Sequence, residues 1–175
     1  MTKFINPANI VAQVGLQPGS VVADFGCGAG YFSVPAAQMI GPDGTVYAVD
    51  VMPDRLAVTQ STARQAGIKN ITVVQADLEK PLERIPKSSC DAIIVSNILH
   101  QIGSRDGLLG NMYMVLKTAG KVLAVEWKKE YTPLGPSQSI RIGRDELVGI
   151  FVQKGFRLEH DLDADGYHYA LLFVK

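Results

Sequence analysis

The stretch "VVADFGCGAGYF", Val21 to Phe32, constrains the fold more than any other. Five strand-forming residues run into glycines at Gly26, Gly28 and Gly30 and then into two aromatics. The chain must therefore reverse sharply, with no side chain on the inside of the turn. A strand that ends this way and continues as a helix brings backbone amides close to a bound ligand. A dinucleotide fingerprint would need G-x-G-x-x-G, and counting from Gly26 puts Tyr31 where its last glycine belongs. The pattern is G-x-G-x-G instead, and a bulky tyrosine there argues against a pyrophosphate.

Beyond the turn, strand and helix patterns alternate. A short amphipathic helix is expected over Asn6 to Val14, a strand over Val21 to Phe25, and a helix in "YFSVPAAQMI" that stops at "GPDG". Strand "TVYAVD" ends on Asp50, and Pro53 suits the first turn of a helix that closes at Gly67. Strands "ITVVQA" and "DAIIVSN" follow, then a helix from about Asp106 to Leu116 and strand "KVLAVEW". A loop rich in Pro, Gly and Ser leads to a helix from about Arg144 to Lys154. Strands "FRLEHDL" and "YHYALLFVK" close the chain, antiparallel because only "DADG" joins them. The alternation predicts a parallel sheet covered by helices on both faces.

A length of 175 residues with 47% hydrophobic and 19% charged content suits one domain with a full core, so residues 1–175 are read as a single unit: an N-terminal helix in 1–15 and an α/β core over 16–175. Lys plus Arg equals Asp plus Glu at 17 each, so no overall field draws in nucleic acid or an anionic membrane, and a small-molecule partner is expected. The N-terminal "MTKFINPANIVAQVG" lacks the apolar core of a signal peptide, and no run reaches the roughly 20 apolar residues of a membrane span, which makes a cytoplasmic location the expectation. Cys27 and Cys90 read as free thiols, and no metal site is expected from them. "DLDADG", Asp161 to Gly166, imitates the start of a calcium loop, but position twelve is Leu172 where a bidentate Glu is needed, so a polar hairpin turn is expected.

Successive strands deliver polar groups to one rim: Asp24 with the glycine turn, then Asp50, Asp77 and Asn97. Open α/β sheets bind ligands at that rim, and a carboxylate at the end of the second strand can accept both hydroxyls of a ribose. "VVADFGCGAGYFS", "TVYAVDVMPDRL", "VVQADLEKPL", "CDAIIVSNILHQI" and "LKTAGKVLAVEW" resemble, in this order, the successive motifs of class I S-adenosylmethionine-dependent methyltransferases. The likeness is strongest toward the branch of ubiquinone, menaquinone and arsenite methyltransferases. It implies a Rossmann-like sheet of seven strands, mostly parallel with an antiparallel last strand, in the order 3-2-1-4-5-7-6.

Position by position, the resemblance implies that Gly26, Cys27, Gly28 and Gly30 line the methionine part of S-adenosyl-L-methionine, with Asp24 beneath the turn and toward the amino group. Asp50 would hold the ribose, Val51 and Met52 would face the adenine, Asp77 and the Leu78 amide would meet its edge, and Asn97 would close the methionine side. His100, just beyond the fourth strand where family acceptors sit, is the candidate catalytic residue for an acceptor that holds its proton. Tyr31, Trp127 and Tyr131 are candidate walls of the acceptor site, Arg141 is either a ligand residue or a surface ion-pair partner, and His160 and His168 read as structural or surface residues. Two cysteines cannot supply the ligand set of an arsenite enzyme, so the expected acceptor is a small or lipid-like molecule. Little beyond one short helix precedes the first strand, so a reduced substrate lid is expected, with specificity depending on a partner or on a second subunit in a homodimer. A cofactor-binding module without activity and a nucleotide-dependent reductase are the alternatives, the latter disfavoured by Tyr31.

Overall fold

The computed structural model describes residues 5–164 and 166–175. Seven strands, β1 (Val21–Phe25), β2 (Thr45–Asp50), β3 (Ile71–Gln75), β4 (Cys90–Ser96), β5 (Leu116–Trp127), β6 (Arg157–Leu162) and β7 (His168–Val174), form one sheet. Its order is β3-β2-β1-β4-β5-β7-β6, the order that the resemblance implies. Strands β1 to β5 pair in parallel, and β7 runs antiparallel to both β5 and β6. Among the described residues five α-helices flank the sheet: α1 (Pro7–Ala12), α2 (Ser33–Ile40), α3 (Pro53–Gln65), α4 (Arg105–Val115) and α5 (Arg144–Gln153).

The strands are buried in proportion to their place in the sheet. Central β1 and β4 are closed on both faces, whereas edge strand β6 is largely exposed. Strand alternation sends Ala23, Phe25, Ile93 and Val95 into one core with α4 and α5. Val22, Val46, Ile94 and Leu123 meet α1 and α2 in a second core on the other face. Stacked Phe151 and Phe173, with ring centroids 4.2 Å apart, join α5 to β7.

Helix starts follow their capping chemistry. Asn6 caps α1 by accepting the Asn9 amide, with Pro7 at the first helical position, so the helix is shorter than the Asn6 to Val14 read from the pattern. Helix α2 begins at Ser33 because Tyr31 and Phe32 remain in the glycine turn. Leu116 belongs to β5 rather than to the helix before it: Cys90 pairs with Leu116, and the register then jumps to Ala92 with Lys121. The "DLDADG" turn includes Asp165 and so lies partly outside the described residues. Among the described residues no helix is long and apolar enough to cross a membrane.

One buried side chain sets the loop after β3. The Asn111 carbonyl oxygen accepts the Leu82 amide at 3.1 Å, and its NH2 group donates to the carbonyls of Leu78 and Lys80 at 2.8 and 2.7 Å. Substituting Asn111→Ala removes the side-chain partner of three backbone groups, two of them in buried bonds, and a loss of about 3 kcal/mol is expected. Thermal unfolding should shift down by roughly 6–12 °C for a chain of this size. A shift under about 2 °C would mean that the loop finds other partners.

Candidate functional site

The first two strand ends are fastened together by one carboxylate. Asp50 Oδ2 accepts the Gly28 amide at 3.0 Å and Oδ1 accepts the Met52 amide at 2.9 Å. Below them the Gly26 and Cys27 amides both donate to the Val49 carbonyl. Gly26 has φ +77°, and a Cβ there would stand 2.6 Å from Ile98 Cγ2, so only glycine fits. At Gly28, φ is +54° and a Cβ would meet nothing within 4 Å, so the turn presents bare backbone to open space. A carboxylate has about four lone-pair positions. Each Asp50 oxygen, having accepted one amide, keeps another for a ligand hydroxyl.

Asp24 lies under this turn, only 2% exposed, and accepts the Ser33 hydroxyl at 2.5 Å. Burial, opposed by that hydrogen bond and reinforced by the neighbouring charge of Asp50, pushes its pKa up to about 7. Its side chain therefore joins the turn to the start of α2. Cys27 likewise turns inward: its Sγ lies 3.7 Å from Thr59 Oγ1, among Ala48 and Leu56, and burial pushes the thiol up to about 12. Only its backbone remains at the turn. Cys90 is also a free buried thiol.

The sheet register aligns the remaining polar groups on the same edge. Asp50 pairs with Gln75, two residues before Asp77, and the Asn97 amide donates to the Val125 carbonyl. Asp77 accepts the Glu79 amide and pairs with Lys80 at 3.0 Å, which together hold its carboxyl below the usual range. Leu78 is buried, while Val51 and Met52 stand exposed beside Asp50. Asn97 adopts φ +57°, and its Oδ1 is a buried atom with no hydrogen-bond partner in the structure. An orphaned acceptor on the residue just after β4, at the same sheet edge as a bare glycine turn and a carboxylate with free lone pairs, suits a ligand that carries both a donor and a diol.

At the ends of the fourth and fifth strands, His100, expected from the sequence, is paired with Glu126, which the sequence reading missed. His100 lies in a single 3-10 turn, Leu99–Gln101, and its side chain is only 4% exposed. Its Nδ1 stands 2.8 Å from Glu126 Oε2, and Glu126 Oε1 accepts the Leu99 amide at 2.8 Å. The signal was present in "VLAVEW": an acid in a strand buried on both faces must find a partner.

One residue along, the Trp127 ring packs tilted, at 42°, against buried His168 with centroids 4.0 Å apart, and the Arg141 guanidinium lies over the indole. Arg141 is buried rather than a surface ion-pair partner. It donates to the carbonyls of Lys128, Glu130, Leu134 and Pro136 and to the Thr132 hydroxyl, and so ties down the loop after β5. Tyr31 and Tyr131 project from the same edge at 74% and 81% exposure and enclose nothing. His160 is exposed. Two clefts lie elsewhere, one at the opposite strand edge around Asp91 and Lys121, the other between α4 and α5.

Residues 16–141 match the methyltransferase domain family over most of the chain's length. The chain belongs to that family. This methyltransferase domain is 28% identical over 172 residues to the ubiquinone/menaquinone biosynthesis C-methyltransferase of Marinomonas sp. (strain MWYL1), covering 94% of the chain and 63% of that relative. It is 32% identical over 168 residues to the enzyme of that name from Vibrio campbellii, covering 92% of the chain and 60% of the relative. The methyltransferase domain thus spans less than two thirds of the length of these curated relatives. In fold it is similar to a SAM dependent methyltransferase from Aquifex aeolicus, with a TM-score of 0.90 and 24% identity over 98% of this chain and 90% of that one. It is also similar to an arsenic (III) S-adenosylmethionine methyltransferase from Chlamydomonas reinhardtii, with a TM-score of 0.70 and 22% identity over 90% of this chain and 63% of that one.

Asp24 gives the methyltransferase domain a distinctive pH signature. Its pKa rises from 3.8 to about 7 on folding, so the folded state holds the proton more tightly and ionisation opposes the fold. The penalty is absent below the unfolded value, grows as pH rises toward 7, and is constant above it. Asn at position 24 keeps an acceptor for Ser33 without the charge. The stability of Asp24→Asn relative to wild type should therefore climb between about pH 4 and 7, by up to about 4 kcal/mol, in paired urea titrations. A difference that does not vary with pH would show that Asp24 ionises freely where it lies.

Proposed function

We propose that the chain is an S-adenosylmethionine-dependent methyltransferase acting on a small or lipid-like acceptor. The observation that carries this reading is the Gly26–Gly30 turn held by Asp50, with bare backbone at Gly28 and an unpartnered Asn97 Oδ1 on the same rim. When bound, the cofactor supplies a methyl group on a sulfonium, already activated for in-line transfer.

The chain's own residues bind and orient. Asp50 accepts the ribose hydroxyls on the lone pairs that Gly28 and Met52 leave free, and the negative charge makes those hydrogen bonds strong. The Gly26, Gly28 and Gly30 backbone and Asn97 would hold the methionine end, Val51 and Met52 would lie against the adenine, and Asp77 with the Leu78 amide would hydrogen-bond it. Asp24 and Cys27 act from beneath, through the turn they support. The exposed aromatic and aliphatic side chains of Tyr31, Tyr131 and Leu134, on loops leaving the strand ends, favour an apolar acceptor, and the quinone-pathway names of the relatives support the same class. His100 is the proposed residue to take a proton from the acceptor, once the exposed Gln101 side chain, 3.2 Å from its Nε2, gives way; its bond to Glu126 supports the reading. The open rim also leaves a place for a second copy of the chain to complete the acceptor wall.

Calorimetry tests the cofactor reading directly. S-adenosylmethionine and its demethylated product should bind with micromolar Kd, about 8 kcal/mol, and NADH should give no heat. In Asp50→Ala, each charge-assisted bond lost is worth about 1.5–3 kcal/mol, so affinity should fall by roughly 10² while circular dichroism shows a folded chain. A folded variant that binds the cofactor within about threefold of wild type would remove Asp50 from the ribose. A screen of phenols, quinols, amines and thiols with labelled cofactor then identifies the acceptor.

A further inference from the structure

We propose that Glu126 is a positioning residue that holds His100 in its Nδ1–H tautomer, leaving the Nε2 lone pair as the proton-accepting atom on the rim under a removable Gln101 cover. The proposal rests on the methyl-transfer reading above for its purpose, and on hydrogen-bond geometry for its content.

Two independent sets of partners lead to the same tautomer. Glu126 is fully buried, and as a carboxylate it can only accept. Its Oε2 lies 2.8 Å from His100 Nδ1, so that nitrogen carries the hydrogen. On the other side of the ring, Gln101 Nε2 lies 3.2 Å from the Asn97 carbonyl oxygen and 3.2 Å from His100 Nε2. A carbonyl cannot donate, so the Gln101 group facing it is the NH2, and the second hydrogen of that NH2 points at the imidazole. Two donors cannot face each other, so His100 Nε2 bears a lone pair. A lone pair can receive a proton from an acceptor, whereas an N–H at that position cannot.

The Leu99 amide makes Glu126 selective in this role. Because that amide donates to Oε1 at 2.8 Å, whatever occupies position 126 must keep an oxygen there. In Glu126→Gln, which preserves size and shape, the Leu99 amide claims the amide oxygen and the NH2 is left opposite His100 Nδ1. The imidazole must then invert to Nε2–H, and its rim nitrogen changes from acceptor to donor. Gln101 is exposed, so an acceptor can displace it without disturbing the core.

The test is nitrogen-15 spectroscopy of histidine-labelled whole chain, with the His100 signals assigned through His100→Asn. Wild type should show Nδ1 protonated and Nε2 bare, and Glu126→Gln should reverse the populations by roughly 10-fold or more, as expected for a buried donor facing a donor. A bare Nδ1 in wild type overturns the proposal without the need for any variant, and so does a folded Glu126→Gln that keeps the wild-type tautomer. Diethyl pyrocarbonate, which attacks a bare ring nitrogen, gives a second readout: Gln101→Ala should speed modification of His100 by about 10-fold, and adding Glu126→Gln should suppress it. Equal rates in the single and double variants also overturn the proposal. S-adenosylmethionine calorimetry on the same samples keeps the two readings apart, because failure to bind removes the methyl-transfer reading and leaves the tautomer result standing.

Discussion

Two backbone amides converging on the Asp50 carboxylate hold the functional edge of the molecule together. Amides at a turn have no ladder partner, and burying them unpaired is costly. A carboxylate satisfies both and gains from their partial charges. Once Gly28 is drawn over the end of β2, the Gly26 and Cys27 amides reach the Val49 carbonyl, and Ile98 from the loop after β4 packs where Gly26 lacks a side chain. Three strand ends thereby become one surface, and the bare backbone faces the space where the cofactor is proposed to lie.

The remaining loops are held in the same manner, by side chains bonded to backbone groups that the sheet leaves unpaired. Asn111 secures the segment after β3, the Glu79 carboxylate accepts the Gly103 and Ser104 amides ahead of α4, and Arg141 gathers four carbonyls of the segment after β5. Glu126 belongs to this set through Leu99 and adds a bond to a titratable ring. Such bonds give loops defined positions without regular structure, which a site that works by orientation requires.

Strand positions and sheet order were legible because the motifs each combine a hydrophobic run with a chemically distinctive end: glycines after Phe25, acids at Asp50 and beside Gln75, an asparagine after Ser96. Side-chain direction was less legible. Cys27 stands among the turn glycines yet packs against Thr59, and Arg141 sits in a loop rich in proline and glycine yet is buried. Tyr31 and Tyr131 read as walls and stand exposed. Each depends on which neighbour comes close, and those neighbours lie up to tens of residues away in the chain.

The sequence by itself determined the alternation of strands and helices, the glycine turn and the row of polar strand ends, because periodicity and turn chemistry are local properties. Family resemblance added the strand order. The tertiary structure alone decided what each polar group touches. The stretch "VLAVEW" signals that Glu126 needs a partner, but which partner is decided only when β5 is set between β4 and β7, which puts Leu99 and His100 against its two oxygens. Hydrogen bonds between residues 26 positions apart have no periodic signature in the chain; they exist only once the sheet brings the strand ends level.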